Sequence, residues 1–88
     1  MGENESLLTF PCSFPIKIMG RDDESFRHTA VLLVEQHAGK LADDAITTSA
    51  SSKGNFLSIT ITIQAQNQEQ LDNIYNDLSN HEAVLVAL

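Results

Sequence analysis

Tryptophan is absent from this 88-residue chain, tyrosine and cysteine occur once each, and proline occurs twice. A single cysteine, Cys12, has no internal partner, so no disulfide staples the fold and nothing points to an oxidising compartment. Positive charge is scarce: five Lys and Arg stand against 12 Asp and Glu, for a net charge of −7. Nucleic-acid affinity rests mainly on neutralising phosphates, so this balance argues against a DNA or RNA partner. It argues equally against an anionic membrane surface. No run approaches the roughly 18 apolar residues of a membrane span. The start shows no basic region followed by an apolar one, so the expectation is a cytoplasmic protein. Met1-Gly2-Glu3-Asn4-Glu5-Ser6 matches the N-myristoylation pattern, but the pattern is short and half free, and it is read as coincidence.

What is present is a globular composition, 42% hydrophobic and 19% charged, in a length that fits one domain. A domain this small buries only about 60% of the surface its unfolded chain exposes, so its core must come from a few well-patterned elements. Residues 1–9 read as a flexible N-terminal arm and 10–88 as the domain. Each Phe-Pro pair in Phe10-Pro11-Cys12-Ser13-Phe14-Pro15 holds the phenylalanine extended. The alternation over 16–19 predicts a first strand that Gly20 ends. Asp22, Asp23 and Glu24 precede Phe26, Ala30, Leu33, Val34 and His37, one face of a helix with acids at its start. Gly39 suits the end of that helix.

Residues 43–49 predict a weak second strand built on Ile46, Thr47 and Thr48. The strongest strand is 56–65, with Leu57, Ile59, Ile61, Ile63 and Ala65 on one side and Phe56, Ser58, Thr60, Thr62 and Gln64 on the other. One buried and one polar side suit an antiparallel sheet covered on a single face. Asn67 and Gln70 resemble a capping box for a second helix over 68–79, carrying Leu71, Ile74, Tyr75 and Leu78, with Asn80 closing it. A short strand over 83–88 completes the order βαββαβ. That order predicts an α+β, ferredoxin-like sandwich: a four-stranded antiparallel sheet with two helices on one face. Right-handed crossovers place strands one and three in the middle.

Catalytic and metal chemistry find little support. His28 and His37 are nine positions apart, about half a turn out of phase on a helix, and Cys12 is remote from both. The expectation is no metal, no cofactor and no catalytic residue, with His37 as a packing residue and Cys12 as a small filler. Helix capping accounts for Asp22, Asp23 and Glu24. The "SSKGNFLSITITI" stretch at 51–63 has serines, Lys53 and Gly54, yet a phosphate loop needs lysine after glycine and a helix to follow. It reads as a hairpin turn with Gly54 at a left-handed position.

"FPCSFPIKIMG" at 10–20 and the 51–63 stretch resemble the two signature stretches of the YbeD-like family of small bacterial proteins. The similarity runs from about Phe10 to Leu88. It implies a ferredoxin-like fold similar to ACT regulatory domains and a regulatory or ligand-sensing role. It also implies genes that lie near lipoate-attachment genes. Members often carry Tyr where this chain has Phe56 and Pro where it has Ala50, so a phenolic hydroxyl is missing here. The expected binding residues are Gly20 and Arg21 in one loop, with Lys53, Gly54 and Phe56 in the other. The expected partners are a small metabolite, a second copy or another protein, the last by way of a sheet edge or the open sheet face.

Overall fold

The computed structural model describes residues 9–51 and 54–88. They form β1 (Cys12–Arg21), α1 (Glu24–Ala38), β2 (Ile46–Ala50), β3 (Phe56–Ala65), α2 (Gln68–Asn80) and β4 (Val84–Ala87). The sheet order is β2-β3-β1-β4 with every pair antiparallel, which is the ferredoxin-like arrangement. β1 and β3 pair along their whole length, from Cys12 with Ala65 to Arg21 with Phe56. Ile16 and Ile18 of β1 and Ile59, Ile61 and Ile63 of β3 alternate onto one side of this central ladder. They meet Phe26, Ala30 and Val34 of α1 and Leu71, Ile74 and Leu78 of α2 in one buried core. No polar side chain is buried among the described residues.

The first strand is longer than the alternation over 16–19 predicts. It begins at Cys12, passes through Pro15 and continues through Gly20 to Arg21. The N–H of Lys17 points towards β4, where it donates to the Leu88 carbonyl at 3.0 Å. Amides two apart in a strand point the same way, so the nitrogen of Pro15 faces a side of β1 that β4 does not reach. The missing donor therefore costs no ladder bond. Gly20 does not end the strand. A Cβ there would stand 2.5 Å from Phe26 Cε1 and 2.6 Å from the Ala83 carbonyl oxygen, so the position is kept bare for a close approach.

The second strand starts later than the 43–49 reading. Asp43–Ala45 form a single tight turn, closed by the Ala45 N–H on the Ala42 carbonyl, before Ile46 enters the sheet. Gly39 takes φ 82 at the end of α1, and its N–H reaches the Glu35 carbonyl. Asn80 is the last residue of α2 and His81 follows it in extended conformation, so the helix runs one residue past the expected stop. β4 is short and its register against β1 shifts between Met19 and Gly20, which places Leu85 as an extra residue on the edge strand.

Candidate functional site

The sequence reading puts the expected binding residues in two loops, but Gly20 and Arg21 end β1 and Phe56 opens β3, and the β1–β3 ladder brings these strand ends to one corner of the sheet. Arg21 is directly opposite Phe56, and Gly20 is opposite Leu57. The Asp22 N–H donates to the Asn55 carbonyl at 3.0 Å, which ties the exit of β1 to the β2–β3 hairpin. The hairpin is closed by the Ser51 N–H on the Phe56 carbonyl and the Gly54 N–H on the Ser51 carbonyl. The Ser51 hydroxyl accepts from the amides of Asn55 and Phe56. Gly54 has φ 72, a left-handed conformation that L side chains rarely adopt. Lys53 lies outside the described residues.

Not all of these residues face one space. Arg21 and Phe56 share the open side of the sheet, because they are paired and both exposed. Gly20 points the other way, against Phe26, so its part is structural. Around Arg21 is a cleft of about 130 Å³ rimmed by Asp23, Ser25, Glu82 and Leu85, with the Phe26 ring at its wall. Beside Phe56 is a second hollow of about 140 Å³, between Met19, Ser49 and Ser58.

The start of α1 borders the first cleft, and its Ser25 and Phe26 amides are already in use, the latter on the Asp23 carbonyl. Asp23 is the N-cap: its Oδ1 accepts from the Ser25 amide at 2.8 Å and from the Ser25 hydroxyl at 2.9 Å. The bond from the Ser25 backbone N–H, then that from the Ser25 hydroxyl, holds the Asp23 carboxyl below its ordinary range. An incoming anion would compete with this carboxylate.

A second polar cluster joins the helices on the far side of the core. His37, in the last turn of α1, sets its Nε2 2.5 Å from Asp77 Oδ2 of α2. Gln70 donates from Nε2 to the His37 carbonyl at 2.9 Å. Sequence spacing marked His37 as a helix-end packing residue but offered no sign of Asp77, whose partner is set by the packing of α1 on α2. Tyr75 meets Phe14 edge-on at 6.5 Å, and burial pushes its phenol up from the ordinary value. Among the described residues no three His, Cys, Asp or Glu side chains are grouped to hold a metal ion. No helix among them is long and apolar enough to cross a membrane.

Sequence reasoning also missed the apolar part of the open face, formed by Met19, Val86 and Leu88. Met19 lies on the same parity of β1 as Lys17 and Arg21, so the alternation held that signal. Val86 joins them only through the β4 register.

A family model described as "Protein of unknown function (DUF493)" matches residues 5–88 of the chain. A UPF0250 protein of Paraburkholderia phytofirmans is 45% identical over 85 residues, covering 97% of this chain and 96% of its own. A UPF0250 protein of Neisseria gonorrhoeae is 46% identical over 83 residues, covering 94% and 91%. Another, of Vesicomyosocius okutanii, is 44% identical over 85 residues, covering 97% and 92%.

Proposed function

The chain belongs to this family of proteins of unknown function, the YbeD-like family that its two motifs resemble, and from that premise we propose that it is a non-catalytic regulatory module sensing a small acidic metabolite. The observation that carries this reading is the pairing of Arg21 with Phe56 at a corner where two loops are tied together. A cation beside an exposed ring suits a small carboxylic acid with an apolar body. The hollows of about 130 and 140 Å³ are well below the roughly 300–1,000 Å³ of typical small-molecule pockets. Such shallow sites favour binding over chemistry that must exclude water. The resemblance adds a setting, the bacterial cytoplasm and lipoate attachment.

The test is a thermal-shift series with lipoic acid, octanoic acid and the common amino acids. A ligand at about 100 times its Kd adds about 2.7 kcal/mol, enough to raise the Tm of a domain this size by roughly 10 °C or more. The shift should disappear in Arg21→Ala. No shift with any of these acids would count against the sensing role.

A second reading, an interaction adaptor without a small ligand, is favoured by the exposed apolar side chains of Met19, Val86 and Leu88 on the open face.

A further inference from the structure

The four strands contain no aspartate or glutamate, although the chain has 12 of them against five cations. The acids among the described residues lie in the two helices and in connections, as at Asp22, Asp43 and Glu82. On the open face of the sheet the sign of the charge is reversed. Among the described residues, Lys17 and Arg21 are the charged side chains of its strands, both exposed and on the same side of β1. Four residue steps along the strand separate them by about 13 Å. Met19 stands between them, Val86 is paired with Met19, and Leu88 bonds through its backbone to Lys17. Met19, Val86 and Leu88 are 43%, 43% and 71% exposed. One hollow of about 70 Å³ lies between Lys17, Val86 and Leu88, and the hollow beside Phe56 adjoins the other side of Met19.

We propose that this face binds an extended, acidic segment of a partner protein, in which two carboxylates flank one apolar side chain. The proposal rests on the adaptor reading and adds the chemistry of the partner. In an extended segment, residues i, i+2 and i+4 share one face and span about 13 Å. The pattern acid–x–apolar–x–acid therefore lays its carboxylates on Lys17 and Arg21 and its apolar side chain beside Met19 and Val86. Charge complementarity selects an acidic segment over a basic one. It also disfavours a second copy seated face to face, because that would press the cations of both copies into one interface. A nucleic acid also carries negative charge, but its affinity rests on neutralising many phosphates along a strand, and Lys17 and Arg21 match only two carboxylates.

The experiment is an NMR titration of the isotope-labelled full chain with two synthetic nine-residue peptides. One has Glu, Leu and Glu at alternate central positions, and its control has Lys in place of both Glu. The expected result is saturable shifts at Lys17, Met19, Arg21 and Val86 with the acidic peptide and none with the basic one. The double variant Lys17→Glu, Arg21→Glu should weaken binding roughly tenfold, with an unchanged far-ultraviolet spectrum showing that it folds. Met19→Ser should weaken it separately while leaving the charges in place. Equal binding of both peptides would overturn the acidic specificity and leave the adaptor reading standing. No shifts at these residues would overturn the proposal. So would concentration-dependent shifts there without peptide, which would assign the face to a second copy.

Discussion

A methyl group at residue 20 would meet the Phe26 ring and the Ala83 carbonyl at distances no carbon adopts. The ring can tilt, but the carbonyl belongs to the backbone entering β4 and has little freedom. Gly20→Ala is therefore expected to lower stability by about 1–3 kcal/mol, read from urea unfolding. Adding Phe26→Leu should recover only part of that loss, because the carbonyl contact remains. A Gly20→Ala protein as stable as the parent would show that β4 shifts freely. The demand at Gly20 was not legible in the sequence, where a glycine after an alternating run reads as a terminator. It arises from contacts with two residues of other elements. Gly39 and Gly54 were legible because their reason is local: each has positive φ where the chain turns. Arg21 and Phe56 read as loop residues in the sequence, but they are the last residue of β1 and the first of β3, and their pairing needed the strand register.

The helices were the most legible elements, since their buried residues follow one stripe and their N-caps are the short polar residues Asp23 and Asn67. The expected capping box at Asn67 forms in an offset version. Asn67 Oδ1 accepts from the Gln70 amide, while Gln70 Oε1 accepts from the Gln66 amide rather than from Asn67. With its other side-chain atom Gln70 holds the His37 carbonyl, so one residue caps α2 and binds the end of α1. Next to it, the His37–Asp77 pair has side chains 25% and 39% exposed. Solvent screening limits such a pair to about 0.2–1 kcal/mol, even at close range. A double-mutant cycle of His37→Ala and Asp77→Ala at neutral pH should return a coupling in that range and of stabilising sign. A coupling of zero would leave Gln70 as the main polar link between the helices. The strands were less legible. Pro15 hid the first half of β1, because the sequence does not say on which side its missing N–H falls. The shifted register of β4 depends on its partner strand and leaves no local mark.

The whole molecule is a ten-residue central ladder with weaker flanks. Strand order followed from the element order βαββαβ together with right-handed crossovers, so the topology was legible once four strands and two helices were recognised. The distribution of cohesion was not, because it depends on how far each edge strand pairs. β1 and β3 pair at every residue, and Ile16, Ile18, Ile59 and Ile61 are fully buried between them and the helices. β4 pairs with β1 through only three positions and the backbone contact of Leu88 with Lys17. The amides of Ile16, Ile18 and Ile59 should therefore exchange with solvent only by global unfolding, whereas that of Leu88 exchanges by local opening of the edge. Ile61→Ala separates the two routes. Emptying this core site should cost about 2–5 kcal/mol. By NMR-detected exchange, the central amides should then speed up by roughly ten- to a thousandfold or more, since each 1.4 kcal/mol is about tenfold. The Leu88 amide should keep its rate as long as global unfolding remains costlier than edge opening. Equal acceleration at both places would mean that β4 is released only when the core is. The open face beside Met19 would then be as rigid as the ladder beneath it, rather than having a mobile border along β4.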